Sequence, residues 1–103
     1  MIVYNTTFHI ESDSVESCLS YLKKEFIPVA VADGRLRHPS LMKILHEQEG
    51  EGESYAMQFH VDSIPTLNGW LREEGNAMHK LLINRFGTKI AGFSTLMEEM
   101  EWE

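Results

Sequence analysis

The chain has little cysteine, few basic residues and no long apolar run. Its one cysteine, Cys18, cannot form a disulfide within the chain, and no second thiol stands near it to help bind a metal. Nine lysines and arginines against sixteen aspartates and glutamates give a formal net charge of −7, which argues against nucleic acid or an anionic membrane as a partner. No segment approaches the roughly 20 apolar residues of a membrane span, and the N-terminus has no secretory signal pattern. These absences predict a cytoplasmic protein.

The remaining composition is that of a folded domain. Of the 103 residues, 43% are apolar and 10% are aromatic, which is typical of a chain that folds around a core. The length suits one core that needs no disulfide or metal for its stability. We therefore expect a single domain over residues 1–103.

The first ten residues are the most informative segment. Apolar side chains share one side of the predicted strand: Ile2, Tyr4, Phe8 and Ile10. Polar but uncharged side chains share the other: Asn5, Thr7 and His9. Such a strand belongs to a sheet that packs on helices with one face and meets solvent, a ligand or another subunit with the other.

A first segment with helical periodicity follows this strand. Asp13, with Glu16 three residues later, has the form of an N-cap and its box partner. Pro28 should kink the helix or end its regular part, with a last turn to Ala32 before Asp33-Gly34. The apolar stripe consists of Val15, Cys18, Leu19, Leu22, Phe26 and Val29.

A second helical segment opens at Ser63 and Pro65 and ends at Gly87. Its apolar stripe consists of Ile64, Leu67, Leu71, Met78 and Leu82, widened by Trp70, Ala77 and Leu81. Gly69 and Gly75 each cost about 1 kcal/mol relative to alanine inside a helix, so we expect close packing at these positions.

Three further strands complete the order of elements. Leu41–Gln48 and Ser54–Asp62 should pair as a hairpin around a turn at Gly50–Gly52, after a connector at His38-Pro39-Ser40. Tyr55, Met57 and Phe59 should lie under the helices, and a fourth strand should run from Lys89 to about Met100. The order β-α-β-β-α-β predicts an α+β ferredoxin-like sandwich, with a four-stranded antiparallel sheet and two helices on one face. Right-handed crossovers place the first and third strands side by side in its centre.

Several motifs resemble those of a known family. They are Tyr4-Asn-Thr-Thr-Phe-His-Ile10, Tyr55-Ala-Met-Gln-Phe-His-Val61, Leu67-Asn-Gly-Trp-Leu71 and Gly92-Phe-Ser-Thr-Leu-Met97. The chain resembles, over nearly its whole length, a family of small bacterial proteins known only as a domain of unknown function within the dimeric α/β-barrel group. The resemblance implies the ferredoxin-like fold of that group and brings no catalytic residue with it.

The sheet face opposite the helices is the candidate site. With the first and third strands adjacent, it should gather Asn5, Thr7, His9, Gln58 and His60. Their amides, hydroxyls and imidazoles suit a small polar or aromatic ligand. His60 is the best candidate for proton transfer, because its imidazole changes charge near neutral pH. The alternative is that these groups hydrogen-bond one another at a buried dimer interface.

Alternation also predicts which face each residue of the flanking strands occupies. If the hairpin turn has an even number of residues, Leu41, Lys43 and Leu45 should join the open face. On the fourth strand, Gly92, Ser94 and Leu96 should lie on the open side. Phe93, Thr95 and Met97 should face the helices.

Other reactive residues suggest no further site. His9 and His60 should lie too far apart to share a metal, and His38, His46 and His79 suit solvent-facing or edge positions. Cys18 should be an inert core thiol. The acidic segment Glu47–Glu53 suits a solubilising hairpin tip. We expect no metal site and no cofactor.

Two classes of function fit these features. The first is a homodimer that binds a small metabolite or another protein chain, with the fourth strand and the acidic tail around Trp102 reaching the partner. The second, by analogy with the dimeric α/β barrels, is a cofactor-independent oxygenase or isomerase. Some members of that group degrade haem with an asparagine, a tryptophan and a histidine. Asn5, Trp70 and His79 supply these types, although Trp70 fits the packed stripe of its helix.

Overall fold

The fold is a four-stranded antiparallel sheet with two helical segments against one face. A computed structural model describes residues 1–45 and 52–102. Its strands are β1 (Ile2–Ile10), β2 (Arg37–Ile44), β3 (Glu53–Val61) and β4 (Ile90–Glu98). Its α-helices are α1 (Val15–Tyr21), α2 (Ile27–Ala30), α3 (Ile64–Trp70) and α4 (Asn76–Phe86). The sheet order is β2-β3-β1-β4, so the predicted topology with β1 and β3 antiparallel in the centre is confirmed.

The alternation along the central strands is confirmed in the core. Ile2, Tyr4, Phe8 and Ile10 are buried, as are Tyr55, Met57 and Phe59. They pack against the helical stripes, which contribute Cys18, Leu22, Phe26, Leu67, Trp70, Met78 and Leu82. Val29, Ile64, Ala77 and Leu81 were also expected in these stripes, but they are exposed. Their positions lie at the borders of the stripes, where the helices turn away from the sheet.

A π-helical turn interrupts the first helical segment. Residues Leu22–Phe26 form this turn between α1 and α2, and the backbone N–H of Ile27 bonds to the carbonyl of Leu22. The expected irregularity therefore lies directly before Pro28, whose nitrogen cannot donate to the helical ladder. The helix ends at Ala30 rather than Ala32. Asp13 is not an N-cap: it lies in a 3₁₀ turn, Ser12–Ser14, and accepts a hydrogen bond from Lys89 Nζ at 2.9 Å.

The second helical segment begins and ends where the sequence predicts. The Ser63 hydroxyl accepts from the Thr66 N–H at 3.2 Å, Pro65 occupies the first turn, and Gly87 ends α4 with a φ of 57°. A second π-helical turn, Leu71–Gly75, joins α3 to α4. None of the helices in residues 1–45 and 52–102 is long and apolar enough to cross a bilayer.

β2 corrects two sequence predictions. It starts at Arg37, so His38-Pro39-Ser40 belongs to the strand rather than to a connector, and a bulge lies between Arg37 and Ser40. Proline is tolerated there because β2 is an edge strand. The pairs Leu41–Met57 and Lys43–Tyr55 place Leu41 and Lys43 on the helix side rather than on the open face, since register fixes the face of every residue.

The hairpin itself is confirmed by the pairing of β2 with β3. Ser40, Met42 and Ile44 take the open-face positions instead of Leu41 and Lys43. Leu45 follows the end of β2 and is 85% exposed. Most of the expected turn lies outside the described residues, as do Gln48 and His46.

The two faces of β4 are also the reverse of the prediction. The pairs Tyr4–Leu96, Thr6–Ser94 and Phe8–Gly92 place Gly92, Ser94 and Leu96 on the helix side. Phe93, Thr95 and Met97 are therefore on the open face. Two physical reasons account for this. β4 is an edge strand whose residues 91–98 are exposed, so burial does not favour one orientation. In addition, the position opposite Phe8 suits glycine, because a β-carbon at Gly92 would lie 2.9 Å from Phe8 Cδ1.

Candidate functional site

The predicted open-face residues share one face but form three separate groups. Asn5, Thr7 and His9 lie on β1 and Gln58 and His60 on β3, with Asn5 directly opposite Gln58. The first group, in the centre of the sheet, is a hydrogen-bonded network. Gln58 Nε2 donates to Asn5 Oδ1 at 3.2 Å, and Asn5 Nδ2 donates to Thr7 Oγ1 at 3.0 Å.

This amide network is largely satisfied within the subunit. Asn5 is only 7% exposed, and both of its amide atoms already have partners. A buried network of this kind fixes the register of the two central strands. The local geometry therefore supports the structural alternative at Asn5 more directly than it supports a ligand contact.

The other two groups lie at opposite ends of the central strands. His9 Nδ1 is 3.1 Å from Ser54 Oγ, beside a shallow cavity of about 260 Å³ lined by Thr7, His9, Ser54, Ala91, Gly92 and Phe93. His60 pairs with Val3, six positions along β1 from His9. At about 3.4 Å per residue the two histidines are about 20 Å apart, at opposite ends of neighbouring strands as the sequence predicts.

A second candidate site lies on the helix side of the sheet, opposite the face that the sequence analysis selected. Two cavities of about 260 Å³ and 360 Å³ lie between the sheet and the second helical segment. Both are lined by His79 and Ser94. We call them together the β4 cleft; it is open because the helices leave the inner side of this edge strand uncovered.

The walls of the β4 cleft are mainly apolar. The apolar lining includes Tyr4, Phe8, Leu67, Leu71, Leu82 and Leu96. Among the polar groups, Thr6 Oγ1 and Ser94 Oγ lie 3.1 Å apart and hydrogen-bond across β1 and β4. The Tyr4 side chain has no hydrogen-bond partner in residues 1–45 and 52–102. An apolar cleft with a few polar groups is the usual form of a small-molecule site.

His79 is the one imidazole in this lining. Its Nδ1 lies 2.8 Å from the carbonyl oxygen of Gly75, and the ring stands edge-on to Phe26 at 5.6 Å between centroids. Because a carbonyl can only accept, Nδ1 must carry the proton and donate. In the neutral ring, Nε2 then has a free lone pair with which to accept a hydrogen bond or a proton.

The sequence predicts a solvent-facing or edge position for His79. The residue is half-buried and lines the cleft, a role that the sequence analysis did not assign to it. A signal was present: His79 lies three positions before Leu82 and one after Met78, on the border of the helical stripe. His38, by contrast, is exposed as expected.

The haem-degrading combination is not assembled. Asn5 lies on the open face of the sheet, whereas Trp70 and His79 belong to the helices packed on the opposite face. Trp70 is buried in the core, edge-on to Tyr4 at 6.3 Å between centroids. The packed position that the sequence indicated for Trp70 is therefore confirmed.

Cys18 and the acidic residues do not add a site within the described part of the chain. Burial raises the pKa of the Cys18 thiol to about 11, which keeps it protonated and unreactive. Hydrogen bonding from the Tyr55 hydroxyl, with a smaller effect of Lys43, lowers the pKa of Glu53. In residues 1–45 and 52–102, no three His, Cys, Asp or Glu side chains cluster as metal ligands.

Comparison with solved structures identifies the fold. A dimeric ferredoxin-like protein from an uncultured marine organism matches with a TM-score of 0.70 and 14% identity, over 97% of this chain and 96% of that one. An EthD family protein from Bacillus halodurans has a TM-score of 0.68 and 17% identity, over 97% and 100% of the two chains. A proposed antibiotic biosynthesis monooxygenase from Deinococcus radiodurans has a TM-score of 0.62 and 12% identity, over 98% and 94%.

These likenesses confirm the ferredoxin-like fold. No curated protein matches the chain. A family model matches residues 1–100, which is nearly the whole sequence and agrees with the resemblance seen in its motifs. The chain belongs to DUF4286, a family defined as a domain of unknown function.

Proposed function

We propose that the protein is a homodimer that binds a small, mainly apolar or aromatic molecule in the β4 cleft. The observation that carries this proposal is His79, an imidazole held by the Gly75 carbonyl in a cleft with otherwise mainly apolar walls. On this view the centre of the open face, with the amide network of Asn5, Thr7 and Gln58, serves subunit association rather than binding of this molecule.

The lining of the β4 cleft defines the ligand class. Its two cavities, of about 260 Å³ and 360 Å³, are of the size that small ligands occupy. Aromatic and aliphatic walls favour a ring, while His79 Nε2, the Tyr4 hydroxyl and the Thr6–Ser94 pair offer hydrogen bonds at defined points. A phenol or an enol fits this set, because its hydroxyl can donate to Nε2.

The composition of the open face supports the dimer. Large apolar side chains there are exposed beside the amide network: Met42, Ile44, Phe93 and Met97. A two-fold axis would cover this patch with the same patch of a second copy. Similar folds described as dimeric point the same way.

The second candidate is an enzyme, a cofactor-independent isomerase or oxygenase. His79 favours the isomerase, because Nε2 could remove a proton from a carbon next to a carbonyl and return it to a different atom of the same molecule. Such a reaction needs a base and no redox partner. His60, the candidate base from the sequence, lies on the other side of the sheet.

Thermal-shift screening with a library of small phenols, enols and keto acids tests the proposal. A ligand at 100 times its Kd stabilises the native state by about 2.7 kcal/mol, which raises Tm by roughly 10–20 °C in a domain of this size. We expect His79→Gln and the cleft-filling Ser94→Phe to abolish the shift. Lys80→Gln, an exposed neighbour on α4, is the matched control and should keep it.

Two results would overturn this assignment. One is a ligand whose shift survives both cleft variants. The other is a shift that Gln58→Ala removes without lowering the Tm of the free protein, which would return the binding site to the open face.

A further inference from the structure

Three strands bring two imidazoles and a thioether together at one end of the open face. His60 lies near the end of β3, opposite Val3 of β1 and Arg37 of β2. The bulge in β2 follows Arg37, and His38 within it has a φ of 50°, a conformation that few residues other than glycine adopt but that histidine tolerates better than most. This geometry brings the His38 ring to His60, with 5.4 Å between the ring centroids.

Met1 completes the group from the other side. Its Sδ lies 3.0 Å from His60 Nδ1, although the residue is exposed and its side chain is free to extend into solvent. A thioether is a weak hydrogen-bond acceptor, so this contact alone gives little stabilisation. It does bring one soft sulfur donor and one imidazole nitrogen into direct contact at the same point of the surface.

The kind of ion follows from the donors. Thioether sulfur is a soft ligand that hard cations such as Mg²⁺ and Ca²⁺ do not select. Zinc takes four ligands, usually thiolate, imidazole or carboxylate, and the nearby carboxylate of Asp62 is already paired with Arg37. Imidazole together with thioether suits copper, and the soft sulfur favours its monovalent state.

We propose that Met1, His38 and His60 form a three-ligand site for copper(I). The ligands are neutral when bound, so the site carries a single positive charge on a chain whose formal net charge is −7. Copper takes the place of the proton between His60 Nδ1 and the Met1 sulfur, and the exposed Met1 side chain moves outward to admit it. The neutral His60 ring keeps its one proton on Nε2, so the ring stays uncharged. The site lies across the sheet from the β4 cleft and does not depend on the function proposed for that cleft.

The site could not be predicted from the spacing of the histidines. His38 and His60 are 22 residues apart in the sequence, and the sequence placed His38 in a connector. Only the β2 bulge brings its ring to the open face beside β3.

The test is an anaerobic titration of the whole chain with copper(I) and ascorbate, against the chromophoric chelator bicinchoninate. We expect one copper(I) per chain to be withdrawn from the chelator. His60→Gln and His38→Asn should each weaken binding at least tenfold; asparagine is chosen because it tolerates positive φ. The matched control is His9→Gln, at the other end of the same face, which should bind as the wild type does.

Two further measurements identify the ion and the sulfur ligand. Competition with zinc should leave copper(I) bound, and X-ray absorption at the copper edge should show one sulfur scatterer with nitrogen neighbours. Four results would each overturn the site. The protein withdraws no copper from the chelator, or His9→Gln loses as much copper affinity as His60→Gln. Alternatively, zinc binds more tightly than copper(I), or the absorption spectrum shows no sulfur neighbour. Circular dichroism melting of every variant distinguishes loss of ligands from loss of folding.

Discussion

His79 donates a hydrogen bond from Nδ1 to the carbonyl oxygen of Gly75 across 2.8 Å, at the junction between the π-helical turn Leu71–Gly75 and α4. π-helical turns often occur at functional sites, because they redirect side chains from the regular helical positions. Here the turn ends at a residue that anchors the one imidazole of the β4 cleft. Gly75 therefore has two roles: it holds His79 through its backbone and it leaves room for Trp70.

The close approach of Gly75 to Trp70 predicts a large effect of one methyl group. A β-carbon at Gly75 would lie 2.3 Å from Trp70 Cζ3, so Gly75→Ala forces the indole or the helix to move. We expect a loss of about 1–3 kcal/mol in the free energy of unfolding, measured by urea denaturation. The matched control is Gly69→Ala, whose β-carbon would meet nothing nearer than 3.5 Å; it should be neutral or stabilising by up to about 1 kcal/mol. Equal effects of the two substitutions would contradict the packing argument.

Removal of the Gln58 amide discriminates between the two readings of the open face. If the network of Asn5, Thr7 and Gln58 is structural, Gln58→Ala should lower the free energy of unfolding by about 1–3 kcal/mol, because Asn5 Oδ1 loses its donor. Dimerisation should weaken as well. The control is Asn84→Ala, an exposed amide on α4, which should not destabilise. An unchanged Tm for Gln58→Ala would argue that the network does not hold the sheet together.

Introducing a charge on the open face should disrupt the dimer. Phe93 is 65% exposed on this face and Leu81 is 61% exposed on α4, so aspartate at either position alters a similar amount of surface. Across a two-fold axis, Phe93→Asp places a charge in the apolar patch of both subunits, and we expect the dimer Kd to rise at least tenfold. Leu81→Asp should leave it unchanged. Sedimentation velocity or light scattering measures the dimer Kd of both variants. A wild type that is monomeric at tens of micromolar, which corresponds to a free energy of association of about −6 kcal/mol or weaker, would contradict this prediction.

The buried thiol predicts a loss of stability at alkaline pH. Burial raises the pKa of Cys18 from an ordinary value of 9.0 to about 11, so the folded state favours the neutral thiol. Its contribution is fully present below pH 9 and disappears as the pH rises from about 9 to 11, because the unfolded chain ionises first. We expect a decrease on the order of 2–3 kcal/mol from this group.

Comparison with Cys18→Ala isolates that contribution. Other groups, including Tyr55 with its raised pKa of about 12, titrate in the same region in both proteins and cancel in the difference. The difference in the free energy of unfolding between wild type and variant should therefore shrink between pH 8.5 and pH 10.5 as a result of the shift in Cys18. A difference that stays constant with pH would show that Cys18 does not titrate differently in the folded and unfolded states.

Local sequence patterns were enough to define the elements that are buried on one side. Alternation at Ile2, Tyr4 and Phe8 defined β1, because a half-buried strand must place every second residue in the core. The same argument defined β3, and the helical stripes with Ser63 and Gly87 at their ends defined the second helical segment. From these elements the order of the fold, the burial of Trp70 and Cys18, and the shared face of Asn5 and Gln58 all followed.

The orientation of the edge strands and the existence of the β4 cleft depend on long-range pairing. The bulge after Arg37 determines which residues of β2 lie on each face, and the register with β1 determines this for β4. A local pattern cannot specify either one when burial does not favour one side of the strand. For the same reason the cleft was not foreseen: Thr6, Ser94 and His79 come from three distant segments, and they meet only because β4 turns Ser94 inward. Local alternation determines which residues share a face, but long-range pairing determines which face it is and what it meets.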